Sequence, residues 1–168
     1  MSQRFPLRPF LPADTERLQD LFAQSIEELS QDFYDDEQRL AWISRAADAP
    51  AFARRLAANV TLLIEQGGEI LGFASMKDNS EIDMLYVHPF AIRQGVATTL
   101  VDALERLALA RGSRTLSVDA SDVAAEFFEG RGYKPVRRNT VPMDDVWLAN
   151  TTYEKALAAP AGESAKTP

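Results

Sequence analysis

One stretch of this sequence, Val60 to Leu100, constrains the fold more than any other. Val60–Glu65 is apolar and β-branched, Gly67-Gly68 marks a turn, and Ile70–Met76 reads as a second strand. Asp78-Asn79-Ser80 marks another turn, after which Glu81–His88 alternates polar with apolar as a third strand. Strands joined by turns this short must run antiparallel, because a parallel neighbour needs a crossover of about a dozen residues or more. The meander then gives way to a loop over Pro89–Gln94 and a helix that begins at Gly95. Val96, Leu100, Val101, Leu104, Leu107 and Ala108 recur at helical spacing up to about Arg111, and Gly112 stands where a helix ends.

The remaining segments fit around this centre. Phe5–Phe10 is short and carries prolines, as an edge strand does. Asp14 is placed to cap a helix reaching about Ser30, with Leu18, Leu21, Phe22, Ser25 and Leu29 on one face. A second helix is expected from Asp35 or Asp36, carrying Leu40, Trp42 and Ile43, and a third over Pro50–Ala57. Beyond the central stretch come a strand at Thr115–Ala120 and a helix at Ala124–Arg131 ended by Gly132. Two last strands, Lys134–Val141 and Val146–Lys155, are joined through Pro142–Asp145. A strand–helix–strand unit requires a parallel pairing, so the expected fold is α/β in the α+β sense. Its sheet is mixed but mostly antiparallel, with about six to seven strands flanked by about four to five helices. Residues 1–157 are expected to form a single domain, which is what 168 residues allow. Residues 158–168, rich in Ala, Pro, Gly, Ser and Lys, are expected to be a disordered tail.

Residue usage excludes several chemistries. The chain has no cysteine and one histidine, His88. Thiol nucleophiles, disulfides and His- or Cys-rich metal centres are therefore out, and no metal site is expected. There is no Gly-x-Ser-x-Gly elbow and no Gly-x-x-x-x-Gly-Lys-Ser/Thr loop. With 25 acidic against 18 basic residues the net charge is −7, so no nucleic-acid partner is expected. An acidic balance suits a cationic substrate such as an amine. No apolar run approaches the roughly 18 residues of a membrane span, and the N-terminal residues lack the apolar centre of a signal peptide. The expected location is the cytoplasm, without membrane attachment.

The chemistry is concentrated where the third strand of the meander hands over to the helix, in Leu85–Leu100. A helix start presents unpaired backbone N–H groups, and with the helix dipole these make an anion site that suits a pyrophosphate. Gly95 and Ala97 carry little side chain, so phosphate oxygens can approach the backbone. Thr98 adds a hydroxyl and Arg93 a positive charge.

The segment Ile92-Arg93-Gln94-Gly95-Val96-Ala97 resembles the acetyl-CoA pyrophosphate loop of the GNAT acetyltransferases, usually Gln/Arg-x-x-Gly-x-Gly/Ala, with Ile92 in the first position. A second segment, Ser121 to Tyr133, resembles that superfamily's Asn-x-x-Ala-x-x-x-Tyr-Glu-x-x-Gly-Phe. Ala124, Glu129 and Gly132 match it, while Ser121, Phe128 and Tyr133 stand for the usual Asn, Tyr and Phe. The resemblance spans about residues 4–157. With Val136-Arg137-Arg138 and Glu154-Lys155-Ala156-Leu157, the chain is similar to a bacterial group of small acetyltransferases within the superfamily.

The resemblance implies a fold in which two neighbouring strands splay and the pantetheine arm lies in the gap, beside the strand ending at Tyr86-Val87. It implies direct attack of an amine on the thioester, with the oxyanion met by a backbone N–H near Val87. Acetyl-CoA is the implied cosubstrate, with contacts from Leu85, Tyr86, Val87, Arg93, Gln94, Gly95, Val96, Ala97, Thr98, Ser121, Phe127, Phe128 and Arg131. An alkyl ammonium near pKa 10.4 must lose a proton before it attacks, and a carboxylate can take it. Glu81 and Asp83 lie two apart on one strand, on one face and about 7 Å apart, close enough to raise one pKa. Asp83, the nearer to the thioester, is the favoured base, with Glu81 second. Phe128 holds the place of the tyrosine that protonates the departing thiolate in many relatives. Tyr86, Tyr133, Tyr34 or water can substitute, or the thiolate can leave without an acid. Trp42 and Tyr34 lie where acceptors of this superfamily bind, with packing as their plainer role.

The leading expectation is acetyl transfer to an amine of a small molecule or a protein, an O-acetyl acceptor being open too. The alternative is a non-catalytic acyl-CoA-binding or sensor module, motivated by Phe128. A third reading, motivated by Ile92, is a partner-binding domain with no CoA site. Dimers are common among such relatives, so a homodimer is a further expectation.

Overall fold

The computed structural model describes residues 5–157; the expectation of a disordered tail at 158–168 lies outside them. The strands are β1 (Leu7–Pro9), β2 (Val60–Gln66), β3 (Glu69–Lys77), β4 (Glu81–Val87), β5 (Thr115–Ser121), β6 (Lys134–Met143) and β7 (Val146–Ala156). The helices are α1 (Thr15–Leu29), α2 (Asp36–Ser44), α3 (Ala49–Ala58), α4 (Val96–Ala110) and α5 (Ala125–Gly130). One seven-stranded sheet runs β1-β2-β3-β4-β5-β7-β6. Every pairing is antiparallel except β4 with β5. That one parallel contact is the crossover through α4, and it gives the mixed sheet expected from the sequence.

Two apolar layers cover the sheet. Val96, Leu100, Val101, Leu104 and Ala108 of α4 pack with Leu71, Ala74, Met76, Leu116 and Val118 on one face. On the other, Leu18, Phe22 and Ile26 of α1 and Phe52 and Leu56 of α3 pack with Leu63, Phe73 and Met84. Gly72 fixes how closely α4 approaches. A Cβ there would meet Val96 Cγ1 at 2.7 Å and the Tyr86 carbonyl at 3.1 Å, so only glycine admits the helix at this depth.

One sequence expectation needs correction. Asp14 does not cap α1 through its side chain. Its carboxylate instead accepts from the Leu11 N–H of the preceding 3-10 turn at 2.8 Å and takes both terminal nitrogens of Arg8 at 2.8 Å. The nearby cation and the free N–H of the earlier turn outcompete the helix N-terminus for it. Of the three apolar residues read on α2, Leu40 is exposed, while Trp42 and Ile43 pack against the α1–α3 layer. The start of that helix is fixed by a capping box, Asp35 and Gln38 each bonding the other's backbone N–H.

The feature that positions everything else is the behaviour of β4. It pairs with β5 only at Glu81–Ser117 and Ile82–Val118. Beyond that rung the strands part, and β5 continues in register with β7 through Ser121–Asn150. On its other side β4 carries a bulge: Met76 lies opposite Ile82 and Ser75 opposite Met84, leaving Asp83 as the extra residue. The bulge reverses the phase of the strand. Ile82 before it and Leu85 and Val87 after it belong to the α4 layer, whereas Met84 and Tyr86 belong to the α1–α3 layer. Strict alternation, as read from the sequence, would have put Leu85 on the face of Asp83.

Candidate active site

The parting of β4 and β5 opens the sheet, and two cavities meet in the gap. The inner one, of about 180 Å³, lies between Asp83–Tyr86 and Val118–Ser121 and is roofed by Tyr34, Leu148 and Asn150. The outer one, of about 650 Å³, spreads from the gap over the start of α4. Trp42, Leu85, Tyr86, Ser121 and Ala124 line both, so they form one passage through the sheet.

One wall of the outer cavity is the loop and helix start that follow β4, and side chains of α1, Trp42 and the α5 region line the rest. After β4, His88 donates its N–H to the Leu71 carbonyl at 2.8 Å, and a 3-10 turn over Pro89–Ala91 follows. Arg93 has φ 62° and Gly95 φ 91°, a left-handed backbone that delivers the chain into α4. At Gly95 the constraint is this φ, not room, since a Cβ would meet nothing nearer than Phe5 at 3.9 Å. No side chain caps α4, so its first-turn N–H groups face the cavity beside Arg93, Ala97 and Thr98. This arrangement suits a polyanion.

The inner cavity is bounded by side chains. Asp83 is fully engaged: Oδ2 accepts from Arg55 Nε at 2.8 Å and Asn59 Nδ2 at 3.0 Å, and Oδ1 from Arg55 Nη2 at 2.9 Å. Glu81 lies beside the inner cavity and not among the residues that line it; it is half-buried, and no protein hydrogen bond or ion pair among the described residues reaches its carboxylate. Burial first, then the negative charges of Asp119 and Asp83, hold its carboxyl above the usual glutamate range. The sequence argument that one carboxylate of this pair would be raised thus falls on Glu81, the second choice for base.

The chain has four tyrosines. Three donate their hydroxyl protons to protein acceptors: Tyr34 to the Ala149 carbonyl, Tyr133 to Glu105 and Tyr153 to Glu129. Tyr86 only accepts, from Trp42 Nε1 at 3.2 Å, and burial pushes its phenol up to about 12. Phe128 is buried and walls the inner cavity, its ring edge-on to Phe127 and Tyr133.

Most of the residues expected to contact a cofactor converge on this passage: Leu85, Tyr86, Val87, Arg93, Gly95, Val96, Ala97, Thr98, Ser121, Phe127 and Phe128. Two do not reach it. Arg131 turns to α4, pairing with Asp102 at 2.6 Å and Glu105 at 3.1 Å, where two carboxylates outbid a distant site. Gln94 folds its amide back onto the Phe90 carbonyl at 3.0 Å. Sequence reasoning missed Arg55, Asn59, Asp119 and Asn150, which come from three separate elements and a helix end and carry no local motif.

Residues 29–156 match the family profile described as an acetyltransferase (GNAT) domain. The chain belongs to the GNAT acetyltransferase family. Among solved GNAT structures it is similar to a GCN5-related N-acetyltransferase from Rhodopseudomonas palustris, with 50% identity and a TM-score of 0.91 over 94% of this chain and 98% of that one. It is 28% identical to the uncharacterized N-acetyltransferase YafP of Escherichia coli, over 86% of this chain and 91% of that protein. The PaiA N-acetyltransferase of Thermoplasma acidophilum, solved in complex with coenzyme A, shares the GNAT fold at 17% identity, with a TM-score of 0.75 over 92% and 99% of the chains. Among the described residues, no helix is long and apolar enough to cross a membrane.

Proposed function

We propose that this GNAT protein moves an acetyl group from acetyl-CoA to an amine. The observation that carries the reading is the gap between β4 and β5, which opens directly onto the uncapped start of α4. The residues fit the cosubstrate part by part. The N–H groups at the start of α4 and the guanidinium of Arg93 suit a pyrophosphate. The β4 edge from Asp83 to Val87, released by β5, leaves backbone groups free for the amides of a pantetheine arm. That a protein of the same fold has been solved with coenzyme A supports the assignment.

Bound acetyl-CoA supplies the activated acyl group; the chain's own residues do the rest. Glu81 is assigned as the base that takes the amine proton, supported by its raised carboxyl and lack of a protein partner. Asp83, neutralised by Arg55, is assigned to holding the bulge and raising Glu81. Tyr86 is assigned as a hydrogen-bond donor to the departing sulfur, since its proton alone among the tyrosines is uncommitted. A phenol at about 12 does not give up its proton outright to a thiolate near 8.5, so its part is donation of a hydrogen bond.

Thermal stability with and without acetyl-CoA tests the site. At about 100 times Kd a ligand that binds only the folded state adds about 2.7 kcal/mol, or about 5–10 °C for a domain of this size. Wild type should shift and Gly95→Glu should not. Ala97→Glu, which leaves the backbone at Gly95 unstrained, should also abolish the shift. If neither variant differs from wild type, the phosphate-site assignment is wrong. Phe128 in place of the usual tyrosine favours a second reading, a non-catalytic acyl-CoA-binding module. Release of free thiol with any amine acceptor removes that reading.

A further inference from the structure

The inner cavity constrains what can be acetylated. Its volume of about 180 Å³ falls below the roughly 300–1,000 Å³ of ordinary ligand pockets. Elements tied together by hydrogen bonds also cover one side of it. The β6–β7 hairpin is tied to α2 through Gln38 Nε2 on the Trp147 carbonyl at 2.7 Å, Arg45 Nη2 on the Pro142 carbonyl at 3.0 Å and Ser44 Oγ on Asp144 at 3.3 Å. Tyr34 fastens the α1–α2 connection to the same hairpin through the Ala149 carbonyl at 2.7 Å, and to β5–α5 by accepting the Asp122 N–H at 2.9 Å. These ties narrow that side of the cavity for a lysine or N-terminus carried on a folded protein.

The walls also have a definite chemistry. The rings of Tyr34 and Trp42 stand edge to face, 5.6 Å apart, on one side. On the other, Asp119 projects from β5 with one protein donor, the Thr152 hydroxyl, and no cation paired to it. Asp83 is matched by Arg55, but Asp119 and Glu81 are not matched by any ion pair among the described residues. One carboxylate suffices for the reacting amine. The other, Asp119, is an exposed carboxylate on the cavity wall, beside aromatic faces that attract cations, with no cation of the protein paired to it.

We propose that the acceptor is a small aliphatic amine carrying a second cationic group, which Asp119 and the Tyr34–Trp42 wall receive while the reacting amine lies in the β4–β5 gap and passes its proton through water to Glu81 beside it. The inference rests on the acetyl-transfer reading of the same passage. The second cation takes no part in the bond changes. The free amine forms the N–C bond, the thioester C–S bond breaks, and the proton lost from nitrogen goes to Glu81.

The test is free-thiol release from acetyl-CoA with 1,4-diaminobutane, 1-aminobutane and a lysine-containing peptide, together with calorimetric titration of 1,4-diaminobutane into the CoA-bound protein. The diamine should exceed the monoamine in kcat/KM by about three- to fivefold, the worth of one ion pair at an exposed carboxylate. The peptide should be the poorest acceptor. Asp119→Asn keeps the Thr152 hydrogen bond and should bring the two amines within about twofold by raising KM for the diamine and not for the monoamine, while any change in kcat falls on both amines alike. The proposal is overturned if the monoamine or the peptide is preferred, if Asp119→Asn leaves the preference intact, or if the CoA-bound protein neither binds nor acetylates the diamine. A thermal shift with acetyl-CoA alongside any of these means that the specificity inference fails while the cofactor site stands. Loss of the shift as well takes the acetyl-transfer reading down with it.

Discussion

The two sides of the passage are made of different material. The outer cavity takes one wall, with the start of α4, from one continuous segment, Val87 to Thr98, and its other walls from α1, Trp42 and the α5 region. The inner cavity is mostly side chains from β4, β5, β7 and the α1–α2 region. A site made of consecutive backbone N–H groups depends on local conformation, so one glycine and one uncapped helix turn suffice to define it. A site assembled from distant side chains depends on the register of three strands and on a bulge. The first serves a ligand part common to many enzymes, while the second is free to vary with the acceptor.

Substitutions can break this division. The largest effect is expected at the chemistry: Glu81→Gln should lower kcat by about 10²–10⁴-fold while leaving the thermal shift with acetyl-CoA intact. Asp83→Asn should cost less than about tenfold, because it disturbs the charge around the base and not the base itself. If Asp83→Asn proves the more damaging, the assignment of roles reverts to the order read from the sequence. Next comes Gly72→Ala, which pushes a methyl group into Val96 and Leu100. Overpacking of this kind costs about 1–3 kcal/mol, and it should lower both the melting midpoint and acetyl-CoA affinity, since Val96 opens α4. A melting change without an affinity change would mean that α4 can shift without disturbing its N-terminus.

A pH profile sharpens the comparison further. Glu81 is active as the carboxylate, and its carboxyl is held above the usual range, so kcat/KM should rise with pH through a value above that of an ordinary glutamate. Asp119 is one cause of that elevation, so Asp119→Asn should move the acidic limb to lower pH. A raised carboxyl binds protons more tightly in the folded state. Its contribution to stability is therefore present at low pH and lost as pH climbs through the raised value. The smallest effect is expected at the exposed cation: Arg93→Ala should weaken acetyl-CoA binding by about two- to fivefold, less at high salt. An effect as large as that of Ala97→Glu would shift the weight of phosphate binding from backbone to side chain.

Much of the fold was legible because its signals are local. Short turns made β2, β3 and β4 antiparallel, glycines bounded α4 and α5, and the helix between β4 and β5 required a parallel rung. The cofactor side was legible for the same reason, being a strand–loop–helix read in one pass. The sequence carried no sign of the Asp102 and Glu105 carboxylates that pair with the Arg131 guanidinium. Nor does a charged residue on an alternating strand reveal the bulge at Asp83 or its pairing with Arg55.

The sequence by itself thus determined the order of elements, the mixed sheet and the anion-binding start of α4, since each follows from the conformational preferences of neighbouring residues. Only the tertiary structure decided which carboxylate is left without a partner, which tyrosine keeps its proton and how small the inner cavity is. Those properties arise where residues as far apart as Tyr34 and Ala149 or Arg55 and Asp83 come into contact, and no local preference encodes a meeting across that distance.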